Sequence, residues 1–233
     1  MIKKFATLVL LVGLGAMFSS LLLGYVPDTE LNFTARYYAD NTVTDTGAAN
    51  IVTAIIVTYR GLDTLGEVTV LFLTATIVSL ILSQARRSDA LPARKPLAAG
   101  ELLETGSRLL IPLILLFGVY VFVGGHLTPG GGFQGGAIVA SATLLMLLTN
   151  PLKRVSHRLI SALESVSGLF YVVIGILGLV FAGGFLDNRI LGLGTFGALF
   201  SAGAIPVIYT LIGLKVGAEF SSMMFNLSKS EDH

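Results

Sequence analysis

The 233-residue sequence contains no cysteine and no tryptophan, only seven prolines and three histidines, and its charged residues amount to 12%. Without cysteine there is no disulfide and no thiolate metal site. Without tryptophan, an aromatic belt at a membrane interface falls to the 7 tyrosines and 14 phenylalanines. A globular chain carries about 25% charged residues. Half that density, beside 54% hydrophobic residues, excludes an ordinary soluble domain. The expected class is an all-α, polytopic integral membrane protein.

Six apolar segments stand out, at approximately Phe5–Val26, Thr64–Leu82, Leu109–Val123, Phe133–Thr149, Leu159–Phe185 and Thr195–Phe220. A helix needs about 20 residues to cross the hydrocarbon core, so these predict about six transmembrane helices. The first follows Lys3 and Lys4 but is longer than a signal-peptide core and lacks an A-x-A cleavage site, so it reads as a retained helix. With the N-terminus inside, eleven Lys and Arg fall on the inner side: Lys3, Lys4, Arg86, Arg87, Arg94, Lys95, Arg108, Lys153, Arg154, Arg158 and Lys229. Three fall outside (Arg36, Arg60, Arg189), and Lys215 lies within the last span. The positive-inside rule then predicts both termini in the cytoplasm.

Two long intervals interrupt the spans. The outer one, Pro27–Asp63, ends in an apolar stretch at 48–59, too short to span and open to an interfacial or a re-entrant reading. The inner one, Ser83–Gly106, is basic and holds Pro92 and Pro96. It reads as a linker. The predicted organisation is a two-span module at 1–83, a basic cytoplasmic linker at 84–106 and a four-span domain at 107–233.

Between the third and fourth spans runs GGHLTPGGGFQGG, Gly124–Gly136, with seven glycines in thirteen residues. Glycine costs about 1 kcal/mol against alanine inside a helix, so this run predicts a tight turn rather than a continuous element. Its G-x-G-x-x-G lacks the surrounding strand–helix–strand unit that a dinucleotide site needs. Pro129, Gly130, Gly131 and Gly132 form the expected turn, with Gly135 and Gly136 at the head of the next helix. Gly132, Gly136 and Ala140 recur every four residues, a small-residue ridge suited to close helix contact. His126 in this run reads either as a proton-relay group or as a histidine bonded to loop carbonyls.

A second constellation is YRGLDTLGE, Tyr59–Glu67. Thr64 and Glu67 fit a T-x-x-E capping box at the start of the second span. Arg60, Asp63 and Glu67 fit equally a cation or proton site, since an ionisable group at membrane depth is a functional candidate by default. In the last span Pro206 predicts a kink, while Lys215 and Glu219 are spaced to pair. Glu164 sits a turn or two into the fifth span. The ion-pathway candidates are therefore Asp63, Glu67, Arg60, His126, Glu164, Lys215 and Glu219.

The glycine run, together with LKVGAE at Leu214–Glu219, resembles the B subunit of Mrp-type multisubunit Na⁺/H⁺ antiporters, MnhB/MrpB, over roughly Leu102–Leu227. The stretch NIVTAIIVTYRGLDTLGEVTVL, Asn50–Leu71, resembles the C-terminal module of the large MrpA subunit, a module that stands alone as the E subunit of membrane-bound hydrogenases. The resemblance implies a multi-pass subunit of the cell membrane of a bacterium or archaeon, within a cation/proton translocating complex. It implies support of ion translocation and assembly, with no redox cofactor, no metal and no catalysis by this chain alone. It places Asp63 and Glu67 in the family's acidic cluster. The implied partners are other hydrophobic Mrp-type subunits, hydrogenase-type redox subunits in the alternative, the lipid bilayer, Na⁺ and H⁺, and no nucleic acid. A redox-driven hydrogenase-type parent and a purely structural scaffold both remain open at this point.

Overall fold

The computed structural model describes residues 2–25, 30–88, 100–150 and 156–231. It is 80% helical, with no strand among the described residues. The chain forms two compact units, Met1–Tyr37 and Tyr38–His233. The first holds helix α1 (Ile2–Leu23) and the start of α2 (Phe33–Thr46). α1 is apolar on all sides and exposed throughout. Ahead of α2, the Asn32 carboxamide accepts from the Ala35 N–H at 2.8 Å, satisfying a free donor of the first turn as an N-cap does.

The second unit contains the rest of α2, then α3 (Ile51–Ala54), a π-helical turn (Ile55–Tyr59) and α4 (Gly61–Ser88). α5 (Glu101–Val123), α6 (Gly132–Thr149), α7 (His157–Phe181) and α8 (Ile205–Glu231) follow. Six helices are long and apolar enough to cross a membrane: α1, α4, α5, α6, α7 and α8. α8 is the axis of the second unit and packs against α4, α5, α6 and α7. One end of this bundle carries the glycine turn and the N-terminus of α8 (the turn end). The other carries the C-terminus of α8 (the tail end).

Glycine decides how closely α6 meets α8. A methyl on Gly132 would stand 2.6 Å from Ile212 side-chain atoms, and one on Gly136 would stand 2.8 Å from the Gly213 carbonyl oxygen. Ala140, the third member of the ridge, is 1% exposed. Backbones therefore touch where side chains would otherwise separate them, the geometry that favours helix association in lipid.

The structure corrects the expected elements in three places. The last span begins at Ile205, not near Thr195. Residues 182–204 form an irregular loop, with left-handed φ at Leu186, Gly194, Gly197, Ala202 and Gly203. Apolar composition alone made this loop look like membrane helix, but its glycines turn the backbone. The third span begins earlier than Leu109, at Glu101; Glu101 and Glu104 occupy its first turn, where carboxylates favour a helix start. Thr64 caps nothing. α4 already starts at Gly61, and the Thr64 hydroxyl donates to the Ile56 carbonyl at 2.7 Å, so the capping-box reading of Thr64 and Glu67 falls. The stretch at 48–59 contains α3 and the π turn, which lead through Arg60 into α4. Residues 89–99 of the expected linker, including Arg94 and Lys95, lie outside the described residues, as do Lys153 and Arg154.

Candidate functional site

At the turn end the glycine run is held by a polar clamp. Asn50 caps α3 through its carboxamide oxygen, which accepts from Val52 and Thr53 N–H. Its Nδ2 donates to the Gly125 carbonyl at 2.9 Å and the Thr128 carbonyl at 3.1 Å. Thr53 donates to the Gly125 carbonyl at 2.6 Å, and Tyr209 of α8 donates to the Thr53 hydroxyl at 3.2 Å. The His126 carbonyl accepts from Ala49 and Asn50 N–H, both at 3.0 Å. Sequence reasoning missed Asn50, Thr53 and Tyr209. The available signal was an Asn directly before an apolar helical run, the position an N-cap prefers.

Gly130 comes so close to the end of α5 that a methyl there would stand 2.6 Å from the Val121 carbonyl oxygen. Gly131 precedes α6, Gly135 packs against Phe122 of α5, and Pro129 is exposed at the tip of the turn. The His126 side chain is fully buried. Its Nε2 lies 3.5 Å from the Ala198 carbonyl of the 182–204 loop, while Nδ1 has no hydrogen-bond partner among the described residues. Burial lowers its pKa below 6.5, against smaller opposing effects from the backbone carbonyls.

That shift gives a pH dependence with a definite sign. The fold prefers the neutral ring, so the stabilisation is complete above the unfolded-state pKa of 6.5 and is lost as pH falls below it. Acidification should loosen the clamp. The measurement is amide hydrogen exchange at Ala49 and Asn50, whose N–H groups are held by the His126 carbonyl. Exchange corrected for its intrinsic pH dependence should rise below pH 6.5, and the rise should vanish in His126→Gln.

Arg60 and Asp63 form an ion pair at the first turn of α4 and are both exposed. Glu67 lies one turn further along the same helix, also exposed, within electrostatic reach of the Tyr171 and Tyr209 hydroxyls. In the 182–204 loop, Arg189 clasps Asp187 bidentately, with Nε to Oδ1 at 2.9 Å and Nη2 to Oδ2 at 2.5 Å among its bonds. Burial acts to raise the Asp187 pKa, but these bonds and the Arg189 charge leave it lowered. Asn188 is fully buried and donates to the Thr46 and Ala202 carbonyls at 2.8 and 2.9 Å, tying the loop to α2.

The structure brings the other three candidates together within the spans. Lys215 Nζ lies 2.7 Å from Glu219 Oε1 on consecutive turns of α8. Glu219 is fully buried and Lys215 is 9% exposed. Glu219 Oε2 has no hydrogen-bond partner among the described residues. Lys215 also sits 5.0 Å from the Phe72 ring centre of α4, a cation–π contact, and a methyl on Gly168 of α7 would stand 3.5 Å from its side chain. Glu164, half-buried on α7, is within electrostatic reach of Glu219. Two carboxylates and one ammonium thus share a largely desolvated site between three helices. With one lysine and two carboxylates, the site can take up one further positive charge, a proton or a monovalent cation. Among the described residues no group of three or more metal-ligating side chains converges.

Two family descriptions match this chain. "Domain related to MnhB subunit of Na+/H+ antiporter" covers residues 102–222, and MbhE, the E subunit of MBH, covers residues 3–97. A protein of Methanocaldococcus jannaschii, MJ1307, is 34% identical over 202 residues, covering 77% of each chain. A chain in the structure of the membrane-bound sulfane sulfur reductase (MBS), an archaeal respiratory membrane complex, superposes with a TM-score of 0.82 at 40% identity. That match covers 97% of this chain and 98% of the other. A chain of the Mrp complex from Dietzia sp. DQ12-45-1b superposes with a TM-score of 0.80 at 27% identity; 97% of this chain is covered, but only 26% of that one. An MnhB-related domain over half its length, preceded by an MbhE-type segment, makes this chain a member of the family of domains related to the MnhB subunit of Na+/H+ antiporters.

Proposed function

We propose that this chain is a membrane subunit of an Mrp-type multisubunit cation/proton (Na⁺/H⁺) translocating complex, supporting both ion translocation and assembly. The observation that carries the translocation half is the Lys215–Glu219 pair with Glu164 beside it. Each charge at membrane depth costs about 2.5–3.5 kcal/mol on insertion scales, and hydrophobic residues of similar size would pack without that cost. The glycine seam between α6 and α8 supports the assembly half. In this reading both termini face the cytoplasm, the tail end is cytoplasmic, and the modules at 1–83 and 107–233 are joined by the basic linker at 84–106.

One observation favours a second parent. The match to the sulfane sulfur reductase chain covers nearly the whole of both proteins. The same chain would then serve a redox-driven respiratory or hydrogenase-type complex, with the redox chemistry in other subunits.

Asp63 and Glu67 form a second charged cluster of this proposed function, at the turn end and separate from the Lys215–Glu219 site. Because Thr64 does not cap α4, Glu67→Gln removes a charge without disturbing a capping box. It should yield an assembled complex with reduced cation-coupled transport, and Asp63→Ala, which also breaks the pair with Arg60, a greater loss. The readout is ΔpH or Na⁺ flux in vesicles holding equal amounts of assembled complex. Wild-type flux in Glu67→Gln would refute a role for its charge.

A further inference from the structure

We infer that the Lys215–Glu219–Glu164 cluster is a blind ion site, open toward the tail end of α8 and closed from the turn end by dry helix packing. The inference rests on the translocation reading and adds the direction of access to it.

Consider α8 on the turn-end side of the pair. Ile205, Ile208, Ile212 and Val216 are at most 1% exposed, and Tyr209 is 4% exposed. From Ile205 to Lys215 this layer rises about 15 Å at roughly 1.5 Å per residue. The packing around it is closer than side chains permit. A methyl on Gly125 would stand 2.7 Å from the Tyr209 ring, and one on Gly136 would stand 2.8 Å from Val216. Where no methyl fits, no water fits either. On the α4 and α7 sides the layer is completed by Val68 and Tyr171, each 2% exposed, and the Tyr171 hydroxyl points to the Gly61 carbonyl. Glu67, the residue before Val68, is exposed.

The tail-end side is different in kind. Glu164 is half-buried rather than sealed. A methyl on Gly168 would meet Lys215 at an ordinary 3.5 Å, so packing there is not tight. Ser221 and Thr143 share a hydrogen bond of 3.0 Å between α8 and α6, and Asn226 donates to Ser79 of α4 at 2.8 Å. Polar side chains from α4, α6, α7 and α8 thus continue from Glu219 toward the end of α8. A proton or monovalent cation reaching the carboxylates has polar partners on this side, whereas in the layer the Tyr171 and Tyr209 hydroxyls are already donated to the Gly61 carbonyl and the Thr53 hydroxyl.

The absence of native cysteine makes the test direct. Single substitutions Glu164→Cys, Ser79→Cys, Val68→Cys and Ile212→Cys are made in the assembled complex, in vesicles. A membrane-impermeant cationic thiol reagent is added to either face, with Thr44→Cys and Ser156→Cys marking the turn and tail ends. Glu164→Cys and Ser79→Cys should react from the tail end alone, and Val68→Cys and Ile212→Cys from neither. Reaction of Val68→Cys or Ile212→Cys from the turn end overturns the blind site, as does Glu164→Cys that reacts from the turn end or fails to react from the tail end. Flux through Glu219→Gln separates the two ideas. Wild-type flux with one-sided labelling sinks the translocation reading and leaves the access asymmetry standing. Lost flux with two-sided labelling sinks the asymmetry alone.

Discussion

Gly136→Leu should prevent the parent complex from assembling. The first added carbon would stand 2.8 Å from the Gly213 carbonyl oxygen and from Val216. A carbonyl oxygen of a helix backbone cannot swing aside as a side-chain tip can, so α6 and α8 must separate. Leucine improves local helix propensity by under about 1 kcal/mol, while overpacking of this kind costs up to about 3 kcal/mol or more. The clash therefore wins. The effect should be read as yield and thermal stability of purified complex, beside Gly66→Ala. A methyl at Gly66 has nothing within 4 Å, and that variant should match or exceed wild-type stability. A Gly136→Leu complex as stable as wild type would show that the seam is not a packing constraint.

Lys215→Met should be nearly as damaging, for an electrostatic reason. It leaves Glu219 fully buried without its cation, and breaking a buried pair from one side costs about 3–5 kcal/mol. The double variant Lys215→Met/Glu219→Gln removes both charges and should recover most of the stability. Transport should stay lost in both, because the exchangeable site is gone. The discriminating quantity is the coupling energy of the double-mutant cycle. If the double variant is as unstable as Lys215→Met, the damage comes from the lost lysine packing against Phe72 and Gly168, not from an uncompensated charge.

These two cases show what could be read from sequence. The Gly132/Gly136/Ala140 ridge was visible because a period of four places residues on one helix face whatever lies opposite. Its partner, α8, was not, since no local pattern names the helix across a seam. Likewise Lys215 and Glu219 announced themselves by their spacing. Glu164 lies more than fifty residues away in sequence, and only the packing of α7 on α8 brings it near. The boundaries of the last span failed for a different reason. Leu191, Leu193, Phe196, Leu199 and Phe200 are as apolar as any span, so hydropathy could not separate loop from helix there. What separates them is backbone conformation, with left-handed φ at Gly194, Gly197, Ala202 and Gly203. Thr64 misled because a capping box describes a helix start, and the π turn before Arg60 had moved that start upstream.

α8 is the least apolar of the six candidate spans, yet more than half of it is buried. It carries a lysine and a glutamate that lipid alone would resist. A segment of this kind partitions into a bilayer less readily on its own than the other five. It follows α4, α5, α6 and α7 in the chain, and those four supply the surface that takes it up: a glycine face on α6, an aromatic ring on α4 and a gap at Gly168 on α7. Biogenesis is thereby ordered by chemistry. The earlier spans enter lipid as independent solutes, and α8 enters a slot already made of protein, so a defect in that slot appears first as a failure of the last span to insert.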